Sequence, residues 1–160
     1  MKVINLIQFS VILTYLFFLS CCQTGGRSDL IDPFESQMSV EEAKLMLPPH
    51  SMPWEIFIEQ PNFKVVHFEN YHSLGFVGQL SLVFTNGKLS STCFITTRIQ
   101  EYINNLEKKR HIRLKPGEYF WRAKIFPYTV VSVRSDLSDQ KICWRDKRFE
   151  DSYYYYGISK

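Results

Sequence analysis

A β-hairpin signal at Asn86-Gly87 constrains the fold more than any other feature of this 160-residue chain. Two extended stretches rich in apolar and β-branched residues flank the dipeptide, Phe76 to Thr85 before it and Lys88 to Thr96 after it. Asn-Gly is favoured in a type I′ turn because both central residues of that turn take positive φ. The sequence therefore predicts two long antiparallel strands near its centre.

More strands are predicted on either side of this hairpin. Trp54 to Glu59 alternates apolar and mostly acidic residues, Phe63 to Phe68 continues an extended pattern, and Asn70 to Gly75 indicates a loop. After the hairpin, four further stretches are rich in apolar and aromatic residues, at 119–125, 128–133, 141–145 and 153–158. We expect a mainly antiparallel sheet of about seven or eight strands.

Two helices are predicted beside the sheet. Ser39 and Glu42 match a capping box, in which each side chain bonds the other residue's backbone amide, and Pro48-Pro49 ends the short helix that follows. Thr97 and Gln100 match a second capping box, and the helix behind it places its apolar residues on one face, at Ile99, Tyr102, Ile103 and Leu106. The predicted fold class is thus α+β: an antiparallel sheet with one amphipathic helix packed on it and a short N-terminal helix.

The first 22 residues have the pattern of an export signal. Lys2 precedes an uncharged apolar run from Leu6 to Leu19, and small residues follow it. The tripeptide Leu19-Ser20-Cys21 resembles the lipobox of bacterial lipoproteins, in which the cysteine is acylated and becomes the mature N-terminus. The resemblance implies a signal peptide over residues 1–20 and a fatty acid such as palmitate on Cys21. It also implies a lipid anchor in the cell envelope, on a membrane facing the periplasm or exterior.

Other interpretations of this segment remain open. Cys22 is a second candidate for acylation, and ordinary cleavage after Cys22 would release a secreted protein. An uncut run from Val3 to Gly26 is long enough to span a bilayer, which needs about 20 apolar residues. Each interpretation exports the domain behind the segment.

The rest of the chain divides into a linker and one domain. Gln23 to Ser28 is small and polar, which is typical of flexible tethers, and we expect residues 21–38 to form the lipid-attachment cysteine and such a tether. Residues 39–160 are then a single β-rich globular domain, of a length that can bury a core.

Cys93 and Cys143 are the two cysteines outside the signal. In an exported protein such a pair is expected to form a disulfide. A reactive thiol is the alternative, although neither cysteine belongs to a C-x-x-C pair.

A basic segment follows the predicted long helix, with cations at Lys108, Lys109, Arg110, Arg113 and Lys115. Cations in the last turn of a helix interact favourably with its dipole, and a solvated helix end is the plain interpretation. The functional interpretation is a surface that attracts an anionic lipid, a glycan or an acidic protein surface. Nucleic acid is not an expected partner of an exported domain.

The sequence contains no recognisable catalytic or cofactor motif. It has no nucleophile elbow, Walker A loop or dinucleotide fingerprint. His67 and His72, with Glu69 between them, offer fewer ligands than a zinc site needs. We therefore expect no metal, no cofactor and a non-catalytic binding or structural role. The alternative is a secreted or periplasmic hydrolase-like enzyme whose site is assembled from distant residues.

Overall fold

The computed structural model describes residues 26–47, 55–116, 121–125, 127–134 and 140–150. Eight antiparallel strands form one sheet in this part of the chain: β1 (Glu55–Gln60), β2 (Phe63–Ser73), β3 (Phe76–Thr85), β4 (Lys88–Ile95), β5 (Lys115–Pro116), β6 (Trp121–Ile125), β7 (Thr129–Arg134) and β8 (Lys141–Asp146). The accompanying helices are α1 (Val40–Leu45), α2 (Ile99–Arg110) and a 3₁₀ helix (Lys147–Phe149). A mainly antiparallel sheet with helices is the α+β class that the sequence predicts.

The sheet consists of two four-stranded meanders that meet at its centre. Its strand order is β1-β2-β3-β4-β8-β7-β6-β5, so β4 of the first meander pairs with β8 of the second. Helix α2 connects β4 to β5, and it therefore carries the chain from the middle of the sheet to the far edge. From that edge the chain returns strand by strand to the middle.

The central hairpin forms as predicted, with Asn86 at φ 52° and Gly87 at φ 72°. The loop predicted from Asn70 to Gly75 is wrong. Strand β2 continues to Ser73, and the connection to β3 is reduced to Leu74-Gly75, both at positive φ.

A β-bulge explains why the predicted loop is a strand. The β2–β3 register shifts between Phe68 and Tyr71, and Asn70 within the bulge has φ 55°. The polar and glycine residues that suggested a loop therefore serve a bulge and a two-residue turn. Beyond the bulge the Tyr71 side chain is buried in the core.

Helix α2 covers one face of the sheet with the predicted apolar stripe. Its Tyr102 ring contacts the rings of Phe76, Phe94 and Trp144, and its hydroxyl lies 2.9 Å from Ser73 Oγ. These contacts join α2 to both meanders through one fully buried side chain.

The predicted start of α2 at Thr97 is wrong. The helix begins at Ile99, and the N-cap residue Arg98 makes no side-chain capping bond. Instead, the Arg98 amide donates to Thr96 Oγ1, and the Arg98 guanidinium pairs with Glu101. The capping box of α1 is present as predicted, because Ser39 Oγ accepts from the Glu42 amide and Glu42 accepts from the Ser39 amide.

Residues 28–38, which we call the N-terminal strap, are part of the core. Their large apolar side chains are at most 3% exposed and pack on the same sheet face as α2: Leu30, Ile31, Phe34 and Met38. The prediction that residues 21–38 form a flexible tether is therefore wrong from Ser28 onward. The domain begins by residue 28 rather than 39, because these four side chains remove apolar surface from water.

Cys93 and Cys143 form a disulfide between β4 and β8. They lie directly opposite each other in the strand register, with Cα atoms 4.1 Å apart. The expected disulfide thus joins the two meanders at the only strand pair through which they meet in the described sheet.

Candidate functional site

The chain enters the domain at one end of the sheet, beside the start of β7. Ser28 is buried there, and its hydroxyl bonds the hydroxyl of Thr129. Thr129 Oγ1 also donates to the Asp29 carbonyl at 2.7 Å, and the Ser28 amide donates to Ser36 Oγ at 3.0 Å. The first residues of the strap are thus bonded both to the sheet and to the returning half of the strap.

An ion pair with a buried carboxylate and a partly exposed arginine lies at the same end of the sheet. Asp146 is fully buried, and the Arg148 guanidinium donates to both of its carboxylate oxygens, at 2.6 to 3.1 Å. Arg148 also donates to the Gly26 carbonyl at 3.1 Å and lies 4.0 Å from the ring centre of Tyr128. One side chain therefore bonds the end of β8 to the point where the chain arrives from its N-terminus.

The electrostatics of Asp146 depend on this pairing. Burial by itself would raise the pKa of Asp146. Hydrogen bonds from the Arg148 side chain and amide and from Ser36, together with the charge of Arg148, outweigh burial and hold this pKa below its ordinary value. The carboxylate is therefore charged at neutral pH and acts as a fixed acceptor for Arg148.

The predicted anionic-partner residues lie at the C-terminal end of α2 and just beyond it. We call them the basic cluster, and all five are exposed: Lys108, Lys109, Arg110, Arg113 and Lys115. Within the described part of the chain, no carboxylate lies within ion-pair distance of Lys108, Lys109 or Arg113. The cluster is thus accessible to an external anion.

The turn that holds the basic cluster is fixed in place. His111 ends α2 in the left-handed conformation, at φ 51°, and the chain then turns back toward β5. Leu106 and Leu114 are buried on either side of this turn, and Glu107 Oε1 accepts from the Leu114 amide at 2.7 Å. The exposed cations therefore project from an ordered connection.

The basic cluster and the start of the strap are neighbours. Arg110 Nη1 lies 3.9 Å from Asp29 Oδ2, next to the Ser28–Thr129 bond. We use "strap end" for the end of the domain that contains Gly26, Ser28, Thr129, Arg148 and Arg110. A groove of about 310 Å³ lies at this end, and both Lys124 and Lys147 line it beside Tyr128.

The opposite end of the sheet has a different character. The β2–β3 turn, Phe76 and the first turn of α2 surround an open depression there of about 480 Å³. Arg98 in this depression pairs with Glu101 and lies 5.1 Å from the ring centre of Phe76. Its cation is therefore already engaged within the protein.

The two histidines singled out from the sequence are not brought together. His67 is half-buried and stacks on the exposed Phe57 ring of the edge strand, at 4.5 Å between ring centres, whereas His72 is exposed. Burial lowers the pKa of His67, against the opposing effect of Glu69 and Glu55. The described residues contain no group of three or more His, Cys, Asp or Glu side chains arranged to hold a metal ion.

Several predicted features lie outside the described residues. They are the signal segment, the acylation candidates Cys21 and Cys22, and the final strand predicted over 153–158. Of the helices that the structure does describe, none has the length and apolar character required to cross a bilayer.

The Asp146–Arg148 pair was not predicted from the sequence. Two opposite charges two residues apart after a strand are ordinary on a protein surface, and no local pattern marks Asp146 as buried. Its burial follows from the packing of the strap over β7 and β8, which is a tertiary event.

Comparison with protein-family models, with curated proteins and with solved structures finds no match to this chain. We therefore argue its function from its own residues.

Proposed function

We propose that this protein is exported and anchored in the cell envelope by lipid on Cys21, facing the periplasm or exterior, with a non-catalytic binding or structural role. The signal pattern of residues 1–20 and the resemblance of Leu19-Ser20-Cys21 to a lipobox support the anchor. The observation that carries the proposal is this sequence pattern, and the burial of the N-terminal strap determines which end of the domain such an anchor would hold. The strap backbone accepts hydrogen bonds from β2, β4 and β7, through Tyr71, Leu89 and Thr129.

Burial of the strap leaves little chain between the proposed anchor and the folded domain. Cys21 and Gly26 are five residues apart, and an extended chain covers at most about 3.5 Å per residue, so the two lie within about 17 Å of each other. Arg148 bonds the Gly26 carbonyl. A lipid on Cys21 would therefore hold one defined end of the domain near the membrane.

The basic cluster is the proposed binding surface. Lys108 and Lys109 are exposed on the last turn of α2, and Arg113 is exposed on the ordered connection after it. None of the three makes an ion pair within the described residues. Such a concentration of positive charge attracts an anionic lipid, a glycan or an acidic protein surface.

Intact-mass analysis of the protein extracted from membranes tests the anchor. We expect a chain that begins at Cys21 and has the added mass of acyl groups, since bacterial lipoproteins, which the signal resembles, carry several chains. Several chains are needed because one acyl chain binds a membrane only marginally. The same measurement without reduction reports whether Cys93 and Cys143 are joined.

Two matched variants identify the acylated residue. Cys21→Ser should abolish acylation and leave the precursor uncut, whereas Cys22→Ser should be processed normally. Acylation that survives Cys21→Ser but not Cys22→Ser would move the site to Cys22. An unmodified N-terminus at Gln23 would contradict the anchor and indicate a secreted protein, and an intact residue 1 would indicate an uncut membrane span.

A further inference from the structure

Cations from separate parts of the chain meet around the point where the strap begins. Arg110 at the end of α2 lies 3.9 Å from Asp29, and Arg148 after β8 bonds Gly26. Lys147 is adjacent to Arg148 and shares a groove with Lys124 of β6. The strap end therefore combines Arg110 of the basic cluster, at the C-terminal end of α2, with Arg148 and two further lysines.

The acidic residues of the N-terminal region do not cancel this charge. Asp29 is paired with Arg110, and Arg27 is paired with both Glu35 and Glu42. Asp32 in the strap and Glu41 on α1 are the exposed acids of the region without an ion pair among the described residues. These two carboxylates do not balance Lys108, Lys109 and Arg113 together with Lys124 and Lys147.

The length of chain before Gly26 limits how far the strap end can be from an anchored lipid. Cys21 and Gly26 are at most about 17 Å apart when the five residues are fully extended, which is about two Debye lengths at physiological ionic strength. A lipid on Cys21 would therefore keep Arg148, which bonds Gly26, and Arg110, which pairs with Asp29, near the bilayer. Juxtamembrane lysines and arginines are attracted to anionic leaflets.

We propose that the partner of the basic cluster is the anionic phospholipid surface of the bilayer that holds the anchor, and that the domain docks on it with its strap end. The inference rests on the proposed lipid anchor and names the partner of the proposed binding surface. The docked orientation places α2 with its C-terminal end toward the lipid. The β2–β3 turn and the first turn of α2 then face away from the membrane.

Hydrogen exchange of the full acylated protein in vesicles tests this orientation. The vesicles are made of phosphatidylcholine alone or of phosphatidylcholine mixed with phosphatidylglycerol. In the anionic vesicles we expect amides of residues 108–115 and 127–130 to exchange more slowly, roughly tenfold, as several cations near an anionic surface allow. Amides of residues 74–77 and 98–102 at the opposite end should exchange equally in both, and added salt should remove the difference.

Two triple variants separate local docking from total charge. K108A/K109A/R113A should lose the phosphatidylglycerol-dependent protection, and the helix should persist because alanine favours helix formation. R98A/R134A/K141A removes the same charge from the opposite end of the sheet and should keep the protection. Equal circular dichroism spectra of both variants and the parent would verify that each is folded.

The possible results distinguish the anchor from the docking. Acyl mass without lipid-dependent protection of the strap end would overturn the docking and leave the anchor standing. Protection that appears only when an anionic glycan or an acidic protein is added would overturn the choice of lipid. Absence of acyl mass would overturn both the proposed anchor and the docking. Equal protection in vesicles of phosphatidylcholine alone would show that the contact does not depend on the cations, and would overturn docking on anionic lipid.

Discussion

Arg148 binds the fully buried Asp146 through both carboxylate oxygens and also holds the carbonyl of Gly26. These two residues are close in sequence, but their partner Gly26 lies more than a hundred positions away. The pair therefore fixes the arriving N-terminal chain to the end of the central strand β8.

Removal of Arg148 should destabilise the domain strongly. Arg148→Ala removes the guanidinium bonds to the buried Asp146 carboxylate, whereas the amide of residue 148 can still donate to it. Arg148 is itself partly exposed, so we expect a loss of about 1.5 to 3 kcal/mol, as for hydrogen bonds to a charged group. Arg148→Lys keeps the charge without the planar fork and should cost less. Denaturant unfolding measures both, and a loss below about 1 kcal/mol for Arg148→Ala would show that the pair does not support the fold.

The stability contributed by Asp146 should depend on pH. Its folded-state pKa is below the ordinary value of about 3.9, so the stabilisation is present above that value and is lost as the pH falls through the folded-state pKa. We expect the unfolding free energies of the parent and Asp146→Asn to differ most near neutral pH, to begin to converge below about pH 4 and to converge fully only below the folded-state pKa. A difference that stays constant through the acid range would contradict the lowered pKa.

Loss of the disulfide should weaken the link between the two meanders. Cys93 and Cys143 are 50 positions apart, and closure of such a loop contributes about 4 kcal/mol on the chain-entropy account. The variant C93A/C143A should therefore unfold at lower denaturant concentration than the parent, and chemical reduction of the parent should give a similar loss. Equal unfolding free energies of the oxidised and reduced protein would show that the disulfide does not stabilise the fold.

Replacement of His111 should stabilise the end of α2. This exposed residue has φ 51°, a left-handed conformation that glycine adopts without the Cβ penalty. His111→Gly should raise the unfolding free energy by about 1 kcal/mol, whereas His111→Ala, which keeps a Cβ, should not. Thermal unfolding compares the two, and a gain in both variants would point to the imidazole rather than to the backbone.

Turns and helix starts were predictable from the sequence where the backbone conformation favours one or two residue types. Asn86-Gly87 determined a turn because few other dipeptides take two positive φ values, and Ser39 with Glu42 determined the start of α1. The same reasoning failed at Asn70, because a positive φ serves a bulge as well as a loop. It also failed at Thr97, where a matching capping pattern is present but unused.

The candidate site was only half predictable. The basic cluster is a run in sequence, and it stays together because it lies on one helix end and the turn after it. Its position beside Ser28 and Gly26 depends on the strap, whose apolar residues were mistaken for part of a tether. The strap has four apolar side chains among polar ones, and its sequence alone does not indicate which surface of the domain buries them.

By itself, the sequence determined the antiparallel strands, the apolar face of α2 and the pairing of Cys93 with Cys143. Turn residues and helical periodicity are local patterns in the sequence. The disulfide follows from a count, because Cys93 and Cys143 are the two cysteines outside the signal. Only the tertiary structure decided that β4 joins β8, that the strap lies in the core and that Asp146 is buried. Those three outcomes depend on which segments, distant in sequence, bury their apolar surfaces against each other. No single segment of the sequence specifies its own partner.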